Sequence, residues 1–371
     1  MIILLLSKVF GYVRQLFNFH KDIADVSESL SFEDEVGFDK NEISLDKNEA
    51  SPDGNEANSN NPWNADEAVT YDGIWLGCNE CVENIQRKVT GDENTHWLSY
   101  TIQNYLAEAI GKKPSNKAQT SYRCLILGAN EGWIERELCK NGFSGEIIAS
   151  DIADKALSRA AEKSQELGYK NVKYIVADLN GDLKEFDGIF DFIIFEGVLH
   201  HIENIENCLQ ILKGKLVNGG LMFGVEHHGP FRFQLPDYQV RWINAALAVL
   251  PKTLRPFPRD QEGNYPATPQ ENMRIFYVPP SEEAIRAWDP SEAISGFKLK
   301  DLFSETFEVL ERRGFGGTIL SYMSGHFDFK RANQDDFANS WLKILMQIED
   351  TLIQTGLLDD EFIFWALKNN G

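Results

Sequence analysis

Arg123-Cys-Leu-Ile-Leu-Gly128-Ala129-Asn130-Glu131-Gly132-Trp133 is the stretch on which the fold turns. A short apolar run, a loop of small and turn-forming residues, and a helical pattern from Trp133 to Asn141 read as strand, tight turn and helix. The alternation continues. Glu146-Ile-Ile-Ala-Ser150 reads as a strand, Lys155 to Leu167 as a helix, Val172 to Ala177 and Phe190 to Phe195 as strands, Ile205 to Leu216 as a helix, and Gly220 to Val225 as a strand. Short apolar strands between amphipathic helices predict an α/β fold with a doubly wound, mostly parallel sheet covered on both faces. Phe307-Glu-Val-Leu-Glu311 and Thr318-Ile-Leu-Ser-Tyr322 bring the expected count to seven strands, and Phe337, Trp341, Ile344, Leu345, Ile348 and Leu352 mark a closing amphipathic helix.

Upstream, Val82 and Ile85, then Trp97, Leu98, Ile102, Tyr105 and Leu106, recur at helical spacing on either side of Thr90-Gly91-Asp92. Two helices are therefore expected before the first strand. Residues 71–371 read as the globular domain, with a lid-like insertion over about 229–300 after the fifth strand, rich in aromatics and prolines. Within it, Tyr238 to Leu250 reads as a helix ended by Pro251. Residues 21–70 are acidic and polar. Between Asp22 and Glu67 stand 14 acidic residues and two lysines, more than half of the chain's net charge of −21. Asp39-Lys-Asn-Glu, Asp46-Lys-Asn-Glu and Asp53-Gly-Asn-Glu recur every seven residues, but the repeated positions are polar and prolines interrupt, so the expectation is a disordered tether and not a coiled coil.

Residues 1–20 place Ile2, Leu5, Leu6, Val9, Val13, Leu16 and Phe17 near one helical face. The run is too short to span a bilayer and lacks the basic start of a secretory signal, so no transmembrane segment is expected, while peripheral membrane contact by this amphipathic helix stays open. The acidic balance, with no basic stripe, argues against nucleic acid as a partner. Five cysteines, two of them in apolar runs, argue against a disulfide framework and for a reducing, cytoplasmic location. Oligomeric state is not readable.

Gly128 to Gly132 lies where a strand ends and a helix begins, the place where such sheets bind nucleotides. Gly128 and Gly132 can take positive φ, and Asn130 tolerates the left-handed region better than most residues. The second strand ends at Asp151, 23 residues after Gly128, where an acid can accept hydrogen bonds from a ribose diol. The third ends at Ala177-Asp178-Leu179, another carboxylate at the same edge, placed to accept from an adenine amino group. For each aspartate, a surface turn or a helix cap is the plainer alternative.

Arg123 to Leu138, Asp151-Ile152, Ala177-Asp178-Leu179-Asn180 and Phe190-Asp-Phe-Ile-Ile-Phe-Glu-Gly-Val-Leu-His-His-Ile202 together resemble successive motifs of class I S-adenosylmethionine-dependent methyltransferases. Val217-Asn-Gly-Gly-Leu221 resembles that family's turn into the fifth strand. Glu226-His-His-Gly-Pro-Phe-Arg-Phe-Gln234 and Asp289-Pro-Ser-Glu-Ala293 resemble a bacterial subgroup often found beside or fused to glycosyltransferases. The resemblance covers about Trp75 to Lys368 and implies S-adenosyl-L-methionine as cofactor. It places Gly128, Ala129, Asn130 and Gly132 against the methionine part, Asp151 on the ribose with Ile152 of the same motif among the cofactor-binding residues, Asp178 and Leu179 at the adenine, and Glu196 and Gly197 along the same cleft. Two positions depart from the pattern. Ile126 stands where the motif has an acid, and Asn130 where it has the middle glycine.

Methyl transfer needs few side chains beyond those that align a nucleophile and accept its proton. The candidates are His200 and His201 after the fourth strand, and Glu226 with His228 after the fifth, near His227. Histidine has the right unperturbed pKa for such work. Neighbouring residues on an extended strand point to opposite faces, so the His-His pairs are poor chelates and no metal is expected. Cys78-Asn-Glu-Cys81 lacks a second pair and reads as structural. The acceptor implied is a small molecule or saccharide, methylated on oxygen. Two other classes stay open: a nicotinamide-dependent oxidoreductase, weakened by the lack of a Gly-x-Gly-x-x-Gly, and a non-catalytic scaffold of the same fold.

Overall fold

The computed structural model describes residues 73–110, 121–255 and 276–371. The predicted helix at 1–20 and the acidic stretch 21–70 lie outside the described residues. Two helices come first, α1 (Asn79–Thr90) and α2 (Trp97–Asn104), as their periodicity predicts. Gly91 ends α1 in the left-handed region at φ 86, donating to the Arg87 carbonyl, a stop that glycine makes without a Cβ clash.

Seven strands follow: β1 (Arg123–Leu127), β2 (Glu146–Asp151), β3 (Val172–Val176), β4 (Phe190–Glu196), β5 (Leu216–His227), β6 (Glu308–Gly316) and β7 (Phe362–Lys368). They form one sheet in the order β3-β2-β1-β4-β5-β7-β6. The first five pair in parallel, whereas β7 is antiparallel to both β5 and β6. Between them run α3 (Trp133–Lys140), α4 (Asp154–Glu166), α5 (Ile205–Lys215), α6 (Asp237–Val249), α7 (Glu282–Trp288), α8 (Leu299–Thr306), α9 (Phe329–Ala332) and α10 (Asp336–Gln354). The chain builds outward from β1 to β3 and then returns to place β4 on the other side of β1. That reversal opens a crevice at the carboxyl ends of β1 and β4.

Alternation along each strand feeds two cores. Ile126, Ile147, Ala149, Ile194, Phe223 and Phe364 face one, filled by Leu98 and Ile102 of α2, Ile134 and Leu138 of α3, and Leu342 and Leu345 of α10. Leu125, Leu127, Ile193, Phe195, Met222 and Trp365 face the other, filled by Leu209 and Leu212 of α5 and Leu299 and Phe303 of α8. β4 is buried at every position but its last. At about 1.5–3 kcal/mol per large apolar side chain removed from water, this central strand holds the crevice edge firmly in place.

The carboxyl end of the chain differs from the expectation. Leu320–Met323 is a 3-10 turn, and the last strand is Phe362–Lys368, which follows α10. The Glu349 carboxylate explains the turn. It accepts from the backbone N–H groups of Gly317, Ile319 and Leu320, which are then lost to any ladder. The insertion is not a free flap throughout, because Ile243, Ala246 and Leu247 of α6 pack into the first core. Residues 256–275 of it lie outside the described residues. No helix among the described residues is long and apolar enough to cross a membrane, and all five cysteines are unpaired.

Candidate functional site

At the carboxyl end of β1 the chain turns sharply. Gly128 has φ 69, Asn130 φ 45 and Gly132 φ 76. A Cβ on Gly128 would stand 2.8 Å from Val198 Cβ, and one on Gly132 would stand 2.7 Å from Ala160 Cβ. Glycine is needed at both for shape as well as for φ. Ala129 N donates to the Ser150 carbonyl at 2.9 Å, which ties the loop to β2. Asp151 then uses one carboxylate oxygen on Asn130 N at 2.8 Å and the other on Ala153 N at 2.9 Å. Burial pushes this carboxyl up from its ordinary value. Ile152 beside it is 44% exposed, which is unusual for so apolar a side chain and leaves a greasy surface at the crevice.

Asp178 is exposed, with Oδ1 accepting from Asn180 N at 2.9 Å. Leu179 is buried in the second core, so it can offer a ligand little but backbone. Gly197 is exposed at φ 54, with nothing within 4 Å of where a Cβ would stand. Glu196, half-buried at the end of β4, accepts from Trp133 Nε1 at 2.7 Å. Burial pushes its carboxyl up to about 7, against the opposing indole donors. No lysine or arginine of the described residues pairs with it. Trp133 in turn meets His96 and Trp97 edge-on, at 5.2 and 5.9 Å between ring centroids, so α2 forms one wall of the crevice.

A second polar group stands at the ends of β4 and β5. Glu226 Oε2 accepts from Val198 N at 3.0 Å and Leu199 N at 2.7 Å, and Oε1 lies 2.5 Å from His200 Nδ1. Burial alone would lower the His200 pKa, but the Glu226 and Glu292 carboxylates outweigh it and raise it to about 10. His201 moves the other way, to about 4, through burial and the neighbouring charge of His200. Its Nδ1 lies 3.1 Å from Ser291 Oγ, which donates to Asp289 Oδ1 at 2.8 Å. The 289–295 segment is pinned here by backbone bonds, Ile294 N and Ser295 N both donating to the His200 carbonyl.

His200 and His201 are not on an extended strand. They sit in the 3-10 turn Leu199–His201, where successive side chains are not opposed, and their rings lie 4.0 Å apart. The geometric reason for expecting no metal there therefore fails. His228 does not join the group. Its ring packs beside Phe303 and Trp365, its Nε2 accepts from Trp365 Nε1 at 2.8 Å, and burial holds its pKa well below the ordinary value. Glu226 does join. Sequence reading missed Glu292, Asp289 and Ser291 as partners of the histidines. The Asp289-Pro-Ser-Glu stretch was distinctive, but nothing in it marks a contact 90 residues away.

Residues 120–249 match the family model of a methyltransferase domain. Among curated proteins, the chain is 30% identical over 128 residues to an uncharacterized protein from Synechococcus sp., a match covering 34% of this chain and 30% of that one. The chain thus matches about a third of the length of that relative. Among solved structures it is similar to an S-adenosylmethionine dependent methyltransferase from Mesorhizobium loti (16% identity, 66% of this chain and 90% of that one, TM-score 0.37). It is also similar to a putative sarcosine dimethylglycine methyltransferase from Galdieria sulphuraria (13% identity, 74% and 84%, TM-score 0.40).

Proposed function

Taking residues 120–249 as a class I S-adenosylmethionine-dependent methyltransferase domain, we propose that this chain transfers a methyl group from that cofactor to an oxygen of a small hydroxylated metabolite, a sugar among them, in the cytoplasm. The observation that carries the reading is the crevice at the reversal of strand order. There Gly128, Asp151, Glu196 and Gly197 share one edge, and Val198, packed on Gly128, joins it to the Glu226 cluster.

The residues fit the cofactor. Gly197 opens onto free space, and Ile152 offers an exposed apolar surface to a purine. The Asp151 carboxylate, with about four lone-pair sites, accepts from the backbone N–H groups of Asn130, Ala153 and Ile152 and keeps one for a ribose hydroxyl. Glu196 is a half-buried carboxylate with no cationic partner among the described residues, as a site for an amino-acid ammonium group requires. When bound, the cofactor supplies an electrophilic methyl on a sulfonium, and its loss leaves S-adenosylhomocysteine. The chain's own part is to hold the acceptor oxygen in line at about 3–3.5 Å, to keep water out, and to take the hydroxyl proton. At the adjoining strand ends, His201, kept neutral beside the His200 that Glu226 and Glu292 hold protonated, is the group for the last task, and α2 with Trp97 and Trp133 narrows access.

Titration calorimetry of the purified full chain with S-adenosylhomocysteine tests the reading. We expect one site with a micromolar Kd. Absence of binding would sink the cofactor assignment, whereas binding without methylation of any hydroxylated acceptor would sink the oxygen-transfer part.

A further inference from the structure

We infer that His200, His201 and Glu292 form a site for a divalent transition-metal cation whose open coordination positions take oxygen donors of the acceptor. The acceptor's part in this rests on the function proposed above; cation binding itself does not. Consecutive positions on a 3-10 turn bring the two imidazoles to one side, 4.0 Å apart. Each turns Nδ1 toward an oxygen held in place: His200 toward Glu226 Oε1 at 2.5 Å, His201 toward Ser291 Oγ at 3.1 Å. A cation would displace the Nε2 proton that Glu226 and Glu292 hold on His200, leaving each imidazole donating through Nδ1 with its Nε2 lone pair on the ion. Histidines backed in this way are the usual metal ligands.

Both Nε2 atoms face the same carboxylate. His200 Nε2 is 3.5 Å from Glu292 Oε1 and His201 Nε2 is 4.0 Å from Glu292 Oε2. One ligand atom from each of the three residues can be chosen so that all lie within 4.8 Å of one another. Two donors at about 2.0–2.1 Å from a tetrahedral ion stand about 3.3 Å apart. The two imidazole–carboxylate distances, 3.5 and 4.0 Å, are therefore within an ångström of a ligand edge and long for hydrogen bonds.

A second observation points the same way. Asp289 is 2% exposed, and its Oδ2 is buried without a hydrogen-bond partner, 3.6 Å from His201 Nδ1. Three carboxylates, those of Glu226, Glu292 and Asp289, thus stand in a nearly dry place against two positive groups, a protonated His200 and the buried Arg232 guanidinium, which feels Asp289 and Glu292. The cluster is one positive charge short, and buried carboxylates are costly without it. A dication supplies it. Imidazole donors favour zinc, copper, iron or nickel over magnesium, calcium or manganese, and three protein ligands leave positions free for a hydroxyl oxygen, whose pKa a bound cation lowers.

The test uses the full chain, stripped with a chelator and titrated with Zn2+, with Mg2+ as the control. We expect one equivalent of Zn2+ bound and little Mg2+, with Glu292→Gln and His201→Ala each weakening Zn2+ by about tenfold or more. Zinc X-ray absorption of the wild-type chain needs no variant to fold; two imidazoles with oxygen and no sulfur support the site. Sulfur at about 2.3 Å would place the ion on Cys78 and Cys81 and overturn the proposal. So would the absence of bound zinc, which would leave a His200 imidazolium between Glu226 and Glu292 as the occupant. S-adenosylhomocysteine binding, measured alongside, separates the two readings. If it binds and zinc does not, only this inference fails; if zinc binds and it does not, the cofactor reading fails.

Discussion

Glu196→Gln is the substitution that tests most directly how this crevice meets a charged ligand. The wild-type carboxyl is pushed up to about 7 by burial, with Trp133 Nε1 at 2.7 Å opposing the shift. Below that value the empty site holds a proton on Glu196, and an ammonium-bearing ligand must displace it. Affinity therefore rises with pH toward 7 and levels off above it. For a single linked group the apparent Kd scales as one plus the ratio of protonated to ionised carboxyl. That factor is about 30 at pH 5.5 and about 2 at pH 7, so S-adenosylhomocysteine should bind about 15-fold tighter at the higher pH. The range stops at 7 because an α-amino group itself begins to lose its proton near pH ~8.

Glutamine keeps an oxygen for the Trp133 indole but has no charge to give. Its chain should bind about tenfold more weakly at pH 7, the equivalent of one lost charge-assisted hydrogen bond of roughly 1.4 kcal/mol, and its Kd should lose most of the pH slope. Calorimetry at pH 5.5, 6.25 and 7 on both chains reads the two slopes. Equal slopes in wild type and Glu196→Gln would refute the assignment of Glu196 as the ammonium partner, whatever the absolute affinities.

Asp151→Ala should abolish detectable S-adenosylhomocysteine binding while the circular dichroism of the chain stays native; retained affinity would remove the ribose role. Gly132→Ala should cost about 1–3 kcal/mol in urea unfolding, since φ is 76 and the new Cβ would stand 2.7 Å from Ala160 Cβ, and an unchanged midpoint would contradict that geometry. His228→Phe leaves the Trp365 indole N–H without its acceptor in the second core and should cost about 1–3 kcal/mol. Its S-adenosylhomocysteine affinity should stay within about twofold of wild type, and a methylation rate reduced far beyond the loss of folded protein would return His228 to the base's role.

The positions of the proposed cofactor residues are legible in the sequence because they are local. Gly128 to Gly132, Asp151 and Asp178 each stand at the end of a strand, and strand ends can be read from apolar runs and turn residues a few positions apart. The acceptor half is built from distant segments. Ser291 meets His201 across 90 positions, and Glu292 meets His200 across a similar gap, through backbone bonds that no periodicity announces. The His-His pair was misjudged for a related reason. Opposed side chains follow only if the strand continues, and β4 stops at Glu196, giving way to a 3-10 turn. The last strand was overlooked because Phe362-Ile-Phe-Trp-Ala-Leu-Lys368, buried on both faces, shows no alternation to read.

The missing motif acid at Ile126 has a structural counterpart. Ile126 is fully buried in the first core among α3 residues, and its carbonyl accepts from Ser150 Oγ at 3.0 Å. An acid there would sit in an apolar layer without a partner, at a cost of several kcal/mol. Glu196 ends the neighbouring strand β4, pairs nothing cationic among the described residues, and is reached by the indole of Trp133, the first residue of the helix after the glycine loop. A carboxylate at that point covers the same end of the crevice from one strand over. On this reading the two departures are not losses of a cofactor site. Asn130 keeps the left-handed turn at φ 45 that a middle glycine would make, and its N–H binds Asp151, while the acid has moved from β1 to β4. The pH slope of Glu196→Gln therefore decides more than one residue's role, because a flat wild-type profile would leave Ile126 uncompensated and restore the case for a non-catalytic scaffold.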